Sequence, residues 1–447
     1  MFFLFLLLLG GEEQIRSGVA KGTGTVQLPA GIVEVKGEIR IPDGARDLEI
    51  LGAREGTVLR AAATFKGRAI FSCRKGVRIR FSDFTIDGNR AALERPMGIA
   101  PYDTPFASYY PNNGLLADEV SGLKVTNVRF VNVANFPILV ARSESVRIEG
   151  VHIEDSGSRN QKGRNNTTGG ILLEEGTSRF EIVNCDFKRV RGNGVWTHSL
   201  YTSRRNGPGS IGGNRFDTVG RDAIQVGHAT GVKVERNEGK QIGFPAGGVD
   251  TENRASPVAI DTAGNVDHSV YSGNRFEEIN GKCIDLDGFH DGDVLRNECV
   301  NRRRPEAYVH GNYGIVMNNS NPDMQSERIV ISDNLIDGAL FGGIFVIGSE
   351  NVVERNTLRN LNLAHCNENA AKFGCYYAQG EPDMLQAGIY LGRGAERPAP
   401  ARRNKIRANR ISGFRMKTRC ISFAPGVDRD SNTVDANLCD DGEGPDR

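Results

Sequence analysis

Of three aspartates, Asp261, Asp285 and Asp287, the first two stand in short segments of one repeated form (a small residue, an isoleucine, any residue, an apolar residue), and Asp287 directly follows the second segment. The two segments are Ala259-Ile260-Asp261-Thr262 and Cys283-Ile284-Asp285-Leu286. Alternation over so short a run reads as a strand with one face inward. With the isoleucine inward, the next residue points outward, and so does the one two further on. Asp261 and Asp285 then share one outward column, with Asp287 in a second. Column neighbours sit about 4.8 Å apart, and outward residues along one strand about 6.5 to 7 Å apart. Three carboxylates in such a patch cannot all ionise at their reference values, so at least one is expected to be raised. A raised carboxyl beside an ionised one is what glycoside hydrolysis requires: one acid protonates the leaving oxygen while the other activates water or attacks carbon. Asp261, Asp285 and Asp287 are therefore the expected catalytic residues.

The same columns name the expected substrate contacts. The first carries Trp196, Gln225 and Tyr390; the second carries Glu174, His198 and Asn318, followed by Asn319; His228 and His290 stand near the strand ends. Trp196, the sole tryptophan, is placed either to pack beneath residues 199–209 or to stack on a sugar ring. No metal-binding motif of useful specificity occurs. A Ca²⁺ held by Asp285, Asp287 and Asp291 is the weaker alternative to no cofactor at all. The central columns read as acids without Lys or Arg, which favours a neutral or weakly charged glycan over an anionic one.

The elements that must position these residues follow from a repeat. Asn214 to Asn237 and Asn274 to Asn297 are each separated by 23 residues and Asn334 to Asn356 by 22, whereas Asn237 to Asn274 and Asn297 to Asn334 are each separated by 37. A unit of 22 to 23 residues with occasional insertions explains all five, and Asn409 and Asn437 continue it more loosely. Two or three strands per unit, with no room for a crossover helix, predict an all-β fold: a single parallel β-helix whose asparagines form an internal ladder. Expected boundaries are a signal-like apolar segment at 1–11, an amino-terminal cap at 12–24 with a helical stretch from Glu12 to Ala20, and the β-helix at 25–447. Insertions at 91–113, 199–209 and 362–386 are long enough to be functional loops.

Composition agrees. The chain has 447 residues, 55 of them glycine, and no linker divides it. A formal charge of +1 provides no field to gather nucleic acid or a membrane surface, so the expected partner is a polysaccharide or oligosaccharide read locally. Of eight cysteines, Cys283 with Cys299, Cys366 with Cys375 and Cys420 with Cys439 are close enough to pair in an oxidising compartment, while Cys73 and Cys185 look like lone core residues. With the apolar start Met1 to Leu9, too short to span a bilayer, this points to an exported protein.

From about Thr25 to Cys439 the coil pattern resembles the pectin-lyase-like superfamily of right-handed parallel β-helix proteins. Leu28-Pro29-Ala30-Gly31 and Asp83-Phe84-Thr85-Ile86-Asp87-Gly88-Asn89 are similar to the opening of many polysaccharide-degrading members. Asp261 and Asp285/Asp287 on successive coils resemble the acids of polygalacturonase-like hydrolases, although the Asn-Thr-Asp, Asp-Asp, Gly-His-Gly and Arg-Ile-Lys strings of those enzymes are absent. The resemblance implies a glycoside hydrolase first. A polysaccharide lyase or uronan epimerase comes second, since Asp287-Gly288-Phe289-His290-Asp291 resembles the Asp-Pro-His-Asp motif of alginate epimerases without its proline. A non-catalytic glycan-binding or surface protein comes third.

Overall fold

The structure is a computed structural model and describes residues 11–250, 256–320, 324–367, 375, 380–394 and 397–442. The expected segment at 1–11 therefore lies outside the described residues except for Gly11. Successive coils stack in parallel, each strand pairing with its equivalents one coil before and after. One face is a 14-stranded sheet that begins with Gly24–Gln27 and ends with Thr433–Asp435. The other two faces join into one 25-stranded assembly because the long strand Thr57–Arg74 serves both: residues 58–60 pair with Thr85–Asp87, and residues 69–74 pair with Asn113–Asp118.

The repeated isoleucines build the core of one of these faces. Ile224, Ile260, Ile284 and Ile315 are in mutual register and essentially fully buried. The small residue before each isoleucine has a steric cause: a Cβ on Gly314 would lie 2.0 Å from the carbonyl oxygen of Gly343 on the next coil. Gly239 has a different cause. It leaves space between Phe216 and Phe276, which end the identical segments Gly213-Asn214-Arg215-Phe216 and Gly273-Asn274-Arg275-Phe276, and a Cβ there would meet the Phe276 ring at 2.5 Å.

The asparagine ladder is continuous. Side-chain Nδ2 donates to the next Oδ1 from Asn214 through Asn237, Asn274, Asn297, Asn334, Asn356 and Asn409 to Asn437, at 2.8–3.0 Å. Each Nδ2 also donates to an interior carbonyl, and each Oδ1 also accepts a backbone N–H, as for Asn237 with Ile211 and Asn214. Residues immediately before the ladder asparagines, such as Arg236 and Arg296 at φ 53°, are left-handed; the ladder bonds offset the roughly 1–2 kcal/mol that such a conformation costs a non-glycine residue. Irregular spacing in sequence thus becomes regular spacing in space, because insertions leave at other corners.

At the amino end the helix Gly11–Val19 buries Ile15 and Val19 on the first coil, and Arg16 donates to the carbonyls of Gly37 and Glu38. It starts and stops one residue earlier than the sequence suggests. The three expected disulfides, Cys283–Cys299, Cys366–Cys375 and Cys420–Cys439, are present, and Cys73 and Cys185 are buried and unpaired. Bridges of this kind persist in oxidising compartments. No helix among the described residues is long and apolar enough to cross a membrane.

Candidate functional site

Four consecutive strands of the isoleucine face, Ile224–Thr230, Val258–Asp267, Lys282–His290 and Tyr313–Asn318, carry the site. Their register aligns Gln225, Asp261, Asp285 and Val316 in one outward row and Gly227, Ala263, Asp287 and Asn318 in the next. Asp261 and Asp285 are only 9% and 7% exposed. Gln225 Nε2 donates to Asp261 Oδ2 at 2.6 Å, and Asn193 Nδ2 donates to Gln225 Oε1 at 2.7 Å. Asp285 is ion-paired with Lys282. The Asp287 carboxylate accepts the Ser320 backbone N–H at 2.8 Å and its hydroxyl at 2.6 Å.

A third row lies two residues before the isoleucines. Val258, Lys282 and Tyr313 are register partners there, and Asp222 and Asn193 hold the equivalent positions before Ile224 and Val195. Asp222 is buried; its Oδ1 accepts the Val258 N–H at 3.0 Å, and its own N–H donates to Asn193 Oδ1 at 3.3 Å. Sequence reasoning missed Asp222 and Lys282 because the column count began at the isoleucine. The same template read two residues upstream finds both. The two columns themselves hold no cation here, but Lys282 brings one to the cluster from the third row, where the expectation did not look.

Burial is the main electrostatic force on the cluster. It holds the Asp261 carboxyl well above the usual range, with Asp222 and Asp285 adding to the effect and Lys282 opposing it. It pushes Asp222 up to about 6, against Arg221, the Val258 N–H and Lys282. Asp287 is raised by burial in spite of the two Ser320 hydrogen bonds. A carboxyl raised well above its ordinary range thus stands in register beside one paired with an ammonium, the combination that general acid–base chemistry uses.

The amino-terminal part of the columns is different and corrects three expected substrate contacts. Glu174 and His198 are register partners, as are Leu172 and Trp196, but the 91–113 insertion covers them. Glu174 is fully buried, and its two oxygens accept the N–H groups of Phe106 at 2.9 Å and Ala107 at 2.6 Å. The Phe106 ring sits 5.0 Å from Trp196, edge to face, and 4.7 Å from His198, stacked. Trp196 therefore packs under this insertion, neither under residues 199–209 nor as an open sugar platform. Burial raises Glu174 to about 7 and lowers His198 to about 4. Tyr390 needs the same correction: it is fully buried beside Phe345, and its phenol is raised by burial and by Glu381.

The remaining expected contacts flank the cluster. His228 is buried with its ring 5.1 Å from Tyr201. His290 makes contacts from Nδ1 to Asp291 at 2.6 Å and from Nε2 to Asn265 Oδ1 at 3.1 Å. Asn318 is in register with Asp287, and its Oδ1 accepts the Asn319 N–H at 2.9 Å. Asp291 is committed to Arg328 and His290 and lowered to about 2. Among the described residues the acid–histidine group with metal-ligand spacing is Glu174, Glu175 and His198, which corrects the Asp285–Asp287–Asp291 alternative. Its carboxylates already accept hydrogen bonds, Glu175 from the Leu200 N–H at 2.9 Å and the Ser203 hydroxyl. A cleft of about 490 Å³ lies on another face among paired charges such as Arg215 with Asp186 and Lys240 with Asp217, away from the aspartates.

The model of the family described as the right handed beta helix region matches residues 46–206 and 108–267. No curated protein matches the sequence. Among solved structures, the chain is similar to the catalytic domain of a GH87 alpha-1,3-glucanase in complex with tetrasaccharides, at 13% identity and a TM-score of 0.54, covering 98% of this chain and 65% of that one. It is also similar to PfbA, a surface adhesin of Streptococcus pneumoniae (13% identity, TM-score 0.51, 78% and 86% covered), and to DFA-IIIase from Arthrobacter chlorophenolicus A6 in complex with GF2 (15%, 0.50, 93% and 88%). The chain spans less than two thirds of the glucanase domain. At these identities the likeness is one of fold, and together with the stacked parallel faces and the matched coils it makes the chain a right-handed parallel β-helix protein.

Proposed function

We propose that the chain is an exported carbohydrate-processing enzyme that hydrolyses glycosidic bonds with Asp261, Asp285 and Asp287, joined by Asp222. The observation that carries this reading is the register pairing of buried Asp261, whose carboxyl is raised, with Asp285, which Lys282 neutralises. Asp261 acts as the general acid and Asp285 as the base or nucleophile, while Gln225 and Asn193 fix the Asp261 carboxyl in place. The tetrasaccharides bound by the glucanase domain, a structure of similar fold, support a sugar-sized substrate.

Lys282 favours one second reading, elimination at a uronate, where its ammonium would neutralise the substrate carboxylate. Incubation with a panel of polysaccharides distinguishes the two. Hydrolysis releases reducing ends without the ultraviolet absorbance of an unsaturated sugar, and appearance of that absorbance assigns a lyase. Retention on one glycan with neither product, unchanged in the double variant Asp261→Asn, Asp285→Asn, would make the protein a binding module.

A further inference from the structure

A cavity of about 220 Å³ opens at the turns that lead from a neighbouring face onto the isoleucine face. Residues from the three successive turns at 189–191, 218–220 and 244–248 line it, together with Arg90 and Arg159. Four guanidiniums line it, Arg90, Arg159, Arg189 and Arg191, against one lining carboxylate, Asp155. Two of the four are committed. Arg189 pairs with Asp155 and Glu154 at 2.5–2.8 Å, and Arg191 donates to Glu94 at 2.6 Å and to the Gly157 carbonyl at 3.2 Å.

The other two are not committed. Arg90 Nη1 is buried with no hydrogen-bond partner. The Arg159 side chain is exposed and makes no ion pair among the described residues; its backbone N–H donates to Glu94 at 2.9 Å and its carbonyl accepts the Met97 N–H at 3.0 Å. Burial first, and then Arg191, lowers Arg90 to about 10, which leaves it a cation at neutral pH. Glu94 and Asp155 partly offset the charge of Arg90, but a buried guanidinium N–H without an acceptor is costly until an anion completes it. Its planar fork matches the oxygens of a sulfate, phosphate or carboxylate. The space is about seven times the ~30 Å³ share of one water, and Val190, Phe244 and Pro245 give it an apolar wall.

We propose that this cavity is an oxyanion site that holds a sulfate or phosphate group, carried free or as an ester on a glycan. Its place suits a glycan. Arg191 stands two residues before Asn193, and Gly220 two residues before Asp222, so the cavity borders the third outward row. The site does not depend on the hydrolase reading, because binding is measured without turnover.

Calorimetric titration of the full chain with sodium sulfate and with inorganic phosphate, at constant ionic strength in chloride, tests it. Saturable binding is expected. Arg159→Gln and Arg90→Gln are each expected to weaken it about tenfold or more, the loss of one charge-assisted contact. Arg40→Gln, on an exposed arginine elsewhere, is expected to leave it unchanged. Because Arg159 is exposed, its variant should melt as the parent does even if Arg90→Gln fails to fold. Titration with a sulfated oligosaccharide and its desulfated counterpart separates the sources: tighter binding of the sulfated sugar than of inorganic sulfate assigns an ester, and equal binding assigns the free ion. Absence of saturable binding, or binding that Arg159→Gln leaves as strong as Arg40→Gln does, overturns the proposal. Preference for the desulfated sugar overturns it too.

Discussion

The columns of the isoleucine face are treated in two ways along one solenoid. On the strands Ile171–Glu174 and Val195–His198, outward residues meet the 91–113 insertion: Glu174 caps the N–H groups of Phe106 and Ala107, and Trp196 and His198 hold the Phe106 ring. On the three strands that follow, Ile224–Thr230, Val258–Asp267 and Lys282–His290, the corresponding rows gather Asp222, Asp261, Asp285 and Asp287. Both regions bury carboxyls and raise them. The difference lies in what the carboxyl is given. Glu174 is fully employed by backbone donors of an insertion, whereas Asp261 shares its surroundings with other carboxylates and one ammonium. A raised carboxyl therefore marks either a docking post or a candidate acid, and its partners tell which.

The sharpest way to break the comparison is to neutralise one acid in each region. Asp261→Asn and Asp285→Asn are each expected to lower the hydrolytic rate about 10³-fold, a general acid–base contribution, with little change in melting. Glu174→Gln should leave turnover near that of the parent. Equal losses at Glu174 and Asp261 would erase the distinction and return Glu174 to the reacting centre.

Next in size is the cost of removing the docking post. Glu174→Ala leaves two buried N–H groups unpaired and should cost about 3 kcal/mol, read as a lowered denaturation midpoint. Because Trp196 is the sole tryptophan and packs on Phe106, the variant's emission should also move to the red. Unchanged emission would show that the insertion stays docked without Glu174.

Much of this was legible beforehand for a physical reason. Stacking repeats impose local rules, a small residue where carbonyls crowd Gly314 and an asparagine where each coil turns at Asn237 or Asn297, so spacing alone reveals the fold. The disulfides were legible because their cysteines lie on neighbouring or closed segments. Alternation also revealed the register of Asp261 with Asp285, since it fixes which way a side chain points. What covers that side chain is set by an insertion with no periodicity, and nothing in the strand Val195–His198 announces that residues some 90 positions earlier will lie over it. Asp222 and Lys282 escaped for a different reason: they stand two residues before the isoleucines from which the outward columns were counted.

The smallest effect, and the most specific, is the pH dependence of docking. Burial raises Glu174 to about 7 from its ordinary 4.5, with Glu175 adding and the Phe106 and Ala107 N–H groups and Arg142 opposing. The folded state then binds this proton more tightly than the unfolded state does. Its contribution to stability is fully present below about pH 4.3 and is lost as pH rises through about 7. Trp196 emission should accordingly titrate with a midpoint near pH 7 and shift to the red on the alkaline side. Glu174→Gln, neutral at every pH, should abolish that transition, while any step from His198 belongs near pH 4 and should remain. A midpoint near 7 that survives Glu174→Gln would assign the titration to the aspartate cluster instead, where Asp222 lies at about 6, and would mean that the two regions are coupled.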